Sequence, residues 1–205
     1  MKAVMISIQP KWCAKIASGE KTIEVRKTKP NITTPFKCYI YCTKGDPSDP
    51  HQRLETHSDG KVHLCNGKVI GEFVCNRIIL TATWRLRGET VKCAKRTEIE
   101  TQFPTLSCLT IDEIREYAGS NQRIIYCWLI SDLVIYEKPK ELAEFTPHCR
   151  YMDDDMCDYR KVACNYQAFD HNPWPDCSVN DVTCKKRMRR PPQSWCYVEE
   201  LIDNA

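Results

Sequence analysis

The sequence lacks the long apolar runs of a membrane protein. No stretch approaches the roughly 18 apolar residues that a membrane-spanning helix needs, and the mixed first eight residues contain no apolar region typical of a secretion signal. Internal repeats and low-complexity tracts are absent as well. These absences predict a globular cytoplasmic protein without membrane contact. Its 205 residues suit one domain with an elaboration or a small subdomain.

The composition excludes disorder as the main state of the chain. Hydrophobic residues make up 42% and charged residues 28%, which is ordinary for a globular protein. The formal net charge is +3 and the isoelectric point is near 8.2. This mildly basic balance permits binding to nucleic acid but does not require it.

The 14 cysteines are unusual for a chain without a secretion signal. Disulfide frameworks belong to secreted proteins, so we do not expect one here. Cys38, Cys42, Cys75 and Cys127 lie within apolar runs that are typical of strands. We therefore predict that these four are small buried hydrophobes.

Apolar periodicity and turn residues predict a chain of many strands and two short helices. The predicted strands are 3–8, 21–26, 36–42, 68–76, 78–84, 126–136 and 195–198. The predicted helices are 11–18, which follows Pro10, and 110–119, which opens with a capping-box pattern. Residues 44–60 are predicted to be a loop, and 95–106 have no assignment.

Strands do not alternate with long helices in this order, which disfavours a doubly wound parallel sheet. A curled, mostly antiparallel sheet fits better. After Pro139 the composition changes, and residues 146–190 read as a Cys-rich insertion or subdomain. We expect residues 191–205 to return as a strand to the main domain, which spans 1–145.

One predicted strand carries charges on a single face. Because alternate side chains of a strand share a face, Thr22, Glu24 and Arg26 lie together, opposite two β-branched residues. Lys21 can bend towards the same strip. Arg26 and Lys21 suit a phosphate, and Glu24 can accept from the amino group of a base. The alternative is a solvated outer face with weak ion pairs.

Residues 16–26, Ile-Ala-Ser-Gly-Glu-Lys-Thr-Ile-Glu-Val-Arg, resemble the signature of ASCH domains. In that signature a helix ends in Gly-x-Lys, and the next strand carries Thr-x-Glu-x-Arg. Further segments that look like the family's strands are 6–12, 68–73, 126–136 and 139–142. The resemblance covers roughly residues 1–145. It implies an α+β fold, a PUA-like mixed β-barrel with two short helices, to which the Cys-rich elaboration is added.

The resemblance also implies recognition of RNA or a modified nucleotide, because ASCH domains resemble the RNA-binding PUA domains. An aromatic ring from Tyr126 or Trp128 would stack on a base, although core packing is the alternative for Trp128. The residues expected to contact nucleic acid are Lys11, Trp12, Lys21, Thr22, Glu24, Arg26, Lys27, Ser194 and Trp195.

A second function that the resemblance implies is hydrolysis of a nucleoside or of RNA. Some small ASCH proteins resemble amidohydrolases that act on N4-acylcytidine, with a motif Gly-x-Lys-Thr-x-Thr. Lys21 matches the activating base, but Glu24 stands where the nucleophilic Thr would be, so Glu24 would act on water as a general base. Glu72 and Glu113 are candidates for the acid. A ribonuclease would use Lys21, Glu24 and Arg26.

A third alternative is a protein-interaction module of phage or mobile-element origin, where small ASCH proteins are common. The basic segment 185–190 can be an electrostatic arm near an RNA site or a solvated segment.

The Cys-rich region offers ligands for a structural zinc ion, and no other cofactor is expected. His148 and His171 lie among these cysteines, and no Cys-x-x-Cys pair occurs there, which leaves reduced thiols or a covering loop as the alternative. The candidate ligands are Cys149, Cys157, Cys164, Cys177 and Cys184.

Overall fold

The computed structural model describes residues 1–46, 49, 52–82, 98–119, 124–148 and 187–201. The strands are Lys2–Ile8 (β1), Ile23–Arg26 (β2), Phe36–Cys42 (β3), Glu55–Ser58 (β4), Lys61–Leu64 (β5), Val69–Ala82 (β6), Ile124–Lys140 (β7) and Trp195–Glu199 (β8). The α-helices are Pro10–Ala17 (α1), Glu98–Ser107 (α2) and Ile111–Ala118 (α3), and a 3-10 helix spans Leu142–Glu144.

Six strands form one mixed sheet in the order β2-β7-β6-β3-β1-β8. Among these six described strands, only β1 and β3 pair in parallel, so the prediction of a mostly antiparallel α+β fold is confirmed. No ladder joins the edge strands β2 and β8 in the part of the chain that the structure describes, and barrel closure therefore stays a prediction. Side chains nevertheless link the two edges: the Trp195 indole N–H donates to Thr28 Oγ1 at 3.0 Å.

The sheet buries side chains on both faces. Along β1, Val4, Ile6 and Ile8 pack in one apolar cluster, while Ala3 and Met5 pack in another on the opposite face. This division follows from the two-residue period of a strand. A third cluster joins the apolar face of β2 to the two later helices, and it comprises Ile23, Val25, Phe103, Ile114, Ala118, Ile125 and Cys127.

The predicted buried cysteines are confirmed. Cys38, Cys42, Cys75 and Cys127 are buried, and none of them forms a disulfide among the described residues. Burial raises the pKa of Cys38 well above its ordinary value, and it raises the pKa of Cys75 to about 12. These two thiols therefore stay protonated at neutral pH and pack as small apolar groups.

The predicted loop over 44–60 was wrong at its end, where β4 begins a hairpin with β5. Its turn is Asp59-Gly60, and both residues have positive φ, 52° and 68°. Asp-Gly favours such turns, but the flanking strands contain too few apolar residues to be predicted as strands.

Two further predictions differ from the structure. The strands predicted over 68–76 and 78–84 are one strand, β6, because a register shift between Cys75 and Ile78 lets it continue. The unassigned segment contains α2, in which Pro104 lies inside the helix. Proline lacks the N–H that a helix interior uses, so the sequence pattern disfavours a helix there.

Gly71 lies where β6 passes closely between its neighbours, opposite Ile40 on β3 and Ile135 on β7. A Cβ atom at this position would lie 2.3 Å from the carbonyl oxygen of Val134 and 3.1 Å from the Cα of Ile135. The backbone itself therefore requires glycine here.

The capping box that was predicted for α3 is confirmed. The Glu113 N–H donates to Thr110 Oγ1 at 3.2 Å, and the Thr110 N–H donates to Glu113 Oε2 at 2.8 Å. Hydrogen bonds from the Thr110 backbone and hydroxyl lower the pKa of the Glu113 carboxyl. These donors thus stabilise the ionised form of the Glu113 carboxyl group in the folded protein.

We expect Thr110→Ala to lower the free energy of unfolding by about 1 kcal/mol at pH 7. The pKa of Glu113 is lowered in the folded state. Its contribution to the free energy of unfolding is therefore present at pH values above its ordinary pKa, and it is lost as the pH falls through the folded-state pKa. Urea titrations of both proteins at pH 7 and pH 3 test this. The difference in unfolding free energy should be smaller at pH 3, and an equal difference at both pH values would contradict it.

Candidate functional site

The polar face of β2 points into the main apolar cluster of the sheet. Glu24 lies opposite Trp128 on β7, and Arg26 lies opposite Tyr126. The exposed side-chain fractions are 2% for Lys21 and 9% for both Glu24 and Arg26. The solvated-face alternative was therefore wrong, because the curled sheet covers these side chains.

Glu24 binds both neighbouring cations. Its Oε1 lies 3.1 Å from Arg26 Nη2, and its Oε2 lies 3.4 Å from Lys21 Nζ. One carboxylate thus bridges two cations, which leaves one excess positive charge in this buried group. We call these three residues the buried triad.

Lys21 has a partner for each of its ammonium protons. Its Nζ donates to the carbonyl oxygens of Ile23 and Ser107, both at 2.8 Å, in addition to the ion pair with Glu24. An ammonium group has three N–H donors, so these contacts occupy it. Lys21 holds Glu24 in place and fastens the end of α2 to β2.

Arg26 connects the two edges of the sheet and keeps a spare donor. Its Nη2 donates to the Ser7 carbonyl oxygen on β1 at 2.6 Å, and its Nη1 donates to Ser194 Oγ, before β8, at 3.4 Å. Its buried Nε has no hydrogen-bond partner among the described residues. The predicted proximity of Ser194 to the charged strip is thus seen in the contact with Arg26.

Two indole rings lie beside the triad. Trp12 on α1 is half-buried, and its ring centroid lies 5.4 Å from Lys21 Nζ and 4.2 Å from the exposed Lys11 Nζ. Trp195 is half-buried, and its ring centroid is 6.3 Å from that of Trp128. The structure therefore places Trp12 next to Lys21, and it places Trp195 against Trp128, the residue opposite Glu24 on β7.

Two other predicted contacts lie at the edge of this group. Lys27 is exposed, and its Nζ lies 5.1 Å from the ring centroid of Tyr117 on α3. Thr22 is half-buried, and its backbone bonds to Leu106 and Ile130. Thr22 thus fixes the start of β2, whereas Lys27 faces solvent.

Three groups next to the triad were not predicted from the sequence. They are the Ser7 carbonyl, the Tyr117 side chain and the Trp128 indole N–H. Desolvation raises the pKa of Tyr117 even though 39% of the residue is exposed, whereas the charge of Arg26 and a hydrogen bond with its side chain oppose this shift. Each group is distant in sequence from Arg26 or serves as ordinary backbone or core, so no local pattern marks it.

The chain is similar to solved ASCH structures. The crystal structure of ASCH from Zymomonas mobilis is 17% identical, with a TM-score of 0.48, and the match covers 97% of this chain and 88% of that one. Two single-residue variants of the same protein are also 17% identical, with TM-scores of 0.44 and 0.43. Those matches cover 98% and 97% of this chain and 92% and 89% of the variants. No family model and no curated protein matches the sequence.

The two candidate acids are not both near the triad. Glu72 lies on the other face of the sheet, where its carboxylate binds Lys37 Nζ at 2.9 Å and accepts from the Tyr136 hydroxyl at 2.6 Å. Glu113 caps α3, and its Oε1 lies 3.9 Å from Lys11 Nζ. Only Glu113 therefore shares a contact with the predicted binding residues.

The predicted zinc ligands lie outside the described residues. They are Cys149, Cys157, Cys164, Cys177 and Cys184. Within the described ranges, no cluster of His, Cys, Asp or Glu side chains suits a metal ion. His148 is buried, and its Nδ1 contacts Glu199 on β8.

The basic segment lies partly within the structure. Residues 185 and 186 are outside the described ranges, while Met188 is buried in the cluster opposite the triad, and Arg187 Nη1 donates to Thr146 Oγ1 at 2.8 Å. Met188 thus anchors residues 187–190, whose three arginines are exposed, and the alternatives of an electrostatic arm and a solvated segment over 185–190 stay predictions. No helix among the described residues is long and apolar enough to cross a membrane.

Proposed function

We propose that this chain binds RNA or a modified nucleotide at the buried triad. The observation that carries the proposal is the excess positive charge of the triad together with the unpartnered Nε of Arg26. Buried charges and buried N–H groups destabilise a fold unless something satisfies them. A ligand that supplies acceptors would satisfy this site.

Different residues would bind different parts of the ligand. Arg26 has donor capacity left for the ligand, whereas Lys21 holds Glu24 ready to accept from an amino group. Lys11 and Lys27 are exposed cations that would contact phosphates. In this proposal, phosphates bind at the surface and a base is recognised inside.

Stacking would come from the two indoles at the rim. Trp12 and Trp195 are half-buried, so each offers part of its ring to a ligand. Single-stranded RNA is commonly held by bases that stack on aromatic side chains, which tolerates many sequences.

The other functions remain alternatives. A hydrolase would need Lys21 as a base, but in this structure its ammonium is occupied by two carbonyl oxygens and Glu24. The protein-interaction module and the zinc ion stay predictions, the latter because its ligands are outside the described residues.

A titration with single-stranded RNA at 50 and 200 mM salt tests the proposal. We expect affinity to fall with salt, and Lys27→Ala to reduce the slope of log affinity against log salt by about 0.7, the value for one phosphate contact of a single strand. Arg26→Lys keeps the charge but loses the Nε donor, and it should weaken binding about tenfold or more at both salt concentrations.

Lys61→Ala is the matched control, because Lys61 is an exposed cation on the separate β4-β5 sheet. It should leave affinity and slope unchanged. Absence of RNA binding by the folded wild type, or an equal effect of Lys61→Ala and Lys27→Ala, would contradict the proposal.

A further inference from the structure

Trp128 carries a second buried donor without a partner. This residue lies in the middle of β7 and is fully buried. Its ring packs edge-on against Phe36, with centroids 5.8 Å apart, and against Trp195. Its Nε1–H has no hydrogen-bond partner among the described residues. Most buried indole N–H groups in native folds do have an acceptor, so this one calls for an explanation.

The two unpartnered donors belong to residues on one face of the β2-β7 pair. Glu24 is directly opposite Trp128 and Arg26 is directly opposite Tyr126, so Arg26 and Trp128 are diagonal neighbours on one face of the β2-β7 pair. Long or aromatic side chains at diagonal positions of a strand pair are close enough to interact. The other buried atoms found without a partner, on Ser58 and His63, are far along the chain in the β4-β5 hairpin.

The surroundings favour a neutral acceptor over a phosphate. Phe36, Trp195 and the protonated thiol of Cys38 lie around Trp128 and Arg26, so this part of the site is largely apolar. An anion placed there would be desolvated and would lie next to the Glu24 carboxylate. A carbonyl oxygen carries no net charge, and its two lone pairs accept from two donors at once.

Building on the proposed function, we propose that the site reads the carbonyl edge of a nucleobase, with one carbonyl oxygen between the Trp128 indole N–H and the Arg26 Nε–H. Uracil, cytosine, guanine and hypoxanthine present such an oxygen. Adenine presents only ring nitrogens, each with one lone pair, which cannot satisfy both donors. The ligand class is therefore a carbonyl-bearing base.

Two RNA hexamers form the sharpest test, one of six adenosines and one in which a single adenosine is replaced by inosine. Inosine differs from adenosine by a carbonyl in place of the amino group and by an N1–H in place of the N1 lone pair. Stacking and phosphates are therefore matched, and both bases offer Glu24 an N–H donor. We expect the inosine hexamer to bind the full-length protein about tenfold more tightly, because its oxygen satisfies two buried donors. It should also shift the Trp128 indole signal in a spectrum of 15N-indole-labelled protein.

The variant Trp128→Phe keeps an aromatic ring and removes the N–H. The indole signal that is missing from its spectrum is therefore the signal of Trp128. It should bind both hexamers with similar affinity. If it does not fold, the comparison of the two hexamers with the wild type still decides. Equal affinity of the wild type for both hexamers would overturn the inference and leave the proposed function standing, whereas no binding of either hexamer would overturn both.

Discussion

Replacing Glu24 with alanine is expected to lower the free energy of unfolding by about 3–5 kcal/mol. Glu24 is the only anion of the buried triad, and its two oxygens lie 3.1 Å from Arg26 Nη2 and 3.4 Å from Lys21 Nζ. Without it, two cations with side chains less than a tenth exposed would repel each other. Removal of one partner from a buried ion pair leaves an uncompensated charge, which is the costly case.

Denaturant titration of Glu24→Ala and the wild type measures this effect. Glu20→Ala is the matched control, because Glu20 forms an exposed ion pair with Lys15 at 2.8 Å, a few residues earlier in the chain. We expect little or no change there, since exposed ion pairs contribute little. Similar small effects of both substitutions would show that the triad is solvated.

An apolar replacement of the whole triad separates stability from function. Lys21→Met, Glu24→Leu and Arg26→Met together remove every charge while filling similar volume. Such replacements of buried ion pairs are often neutral or stabilising. We expect the triple variant to be more stable than Glu24→Ala and to have lost RNA binding. Retained binding would show that the triad is not the binding site.

The second large effect is expected at Gly71, where alanine should lower the free energy of unfolding by about 3 kcal/mol, the upper end for overpacking. The added Cβ would lie 2.3 Å from the Val134 carbonyl oxygen, a contact that only movement of the backbone can relieve. Because β6 is hydrogen-bonded on both sides, such movement disturbs β3 and β7 together.

Gly19→Ala is the control that separates a clash from backbone strain. Gly19 has a φ of +78°, but an added Cβ would meet nothing within 4 Å. Its cost should therefore be about 1 kcal/mol, the strain of an L-residue at positive φ. Thermal unfolding of both variants compares them. If Gly71→Ala cost no more than Gly19→Ala, the close approach of β6 to β7 would be wrong.

The sequence predicted the elements whose signal is local. The bounds of β3 agree with the prediction because aromatic and apolar residues fill 36–42 without interruption. The two faces of β2 were predicted correctly, since charged and β-branched residues alternate there. The capping box of α3 depends on residues three apart, Thr110 and Glu113, and was also predicted.

The rest of the site depends on contacts between residues distant in sequence, which no local pattern encodes. Arg26 binds a carbonyl oxygen of Ser7, and Lys21 binds one of Ser107, 86 residues away. Any residue type can offer a carbonyl oxygen, so the sequence does not distinguish these two. Trp128 was predicted to stack on a base or to pack in the core, and its ring packs in the core, but only the three-dimensional structure shows that its N–H has no partner among the described residues.

The strand order has a consequence for when the site forms during synthesis. Arg26 meets Ser194, which follows it by 168 residues, and β1 pairs with β8. During synthesis, β1 and Arg26 therefore emerge from the ribosome well before Ser194 and β8, which complete this part of the site. Contacts of such sequence separation also slow folding, because long loops must close first. The contact between Arg26 and Ser194 can thus form only after β8 has been synthesised.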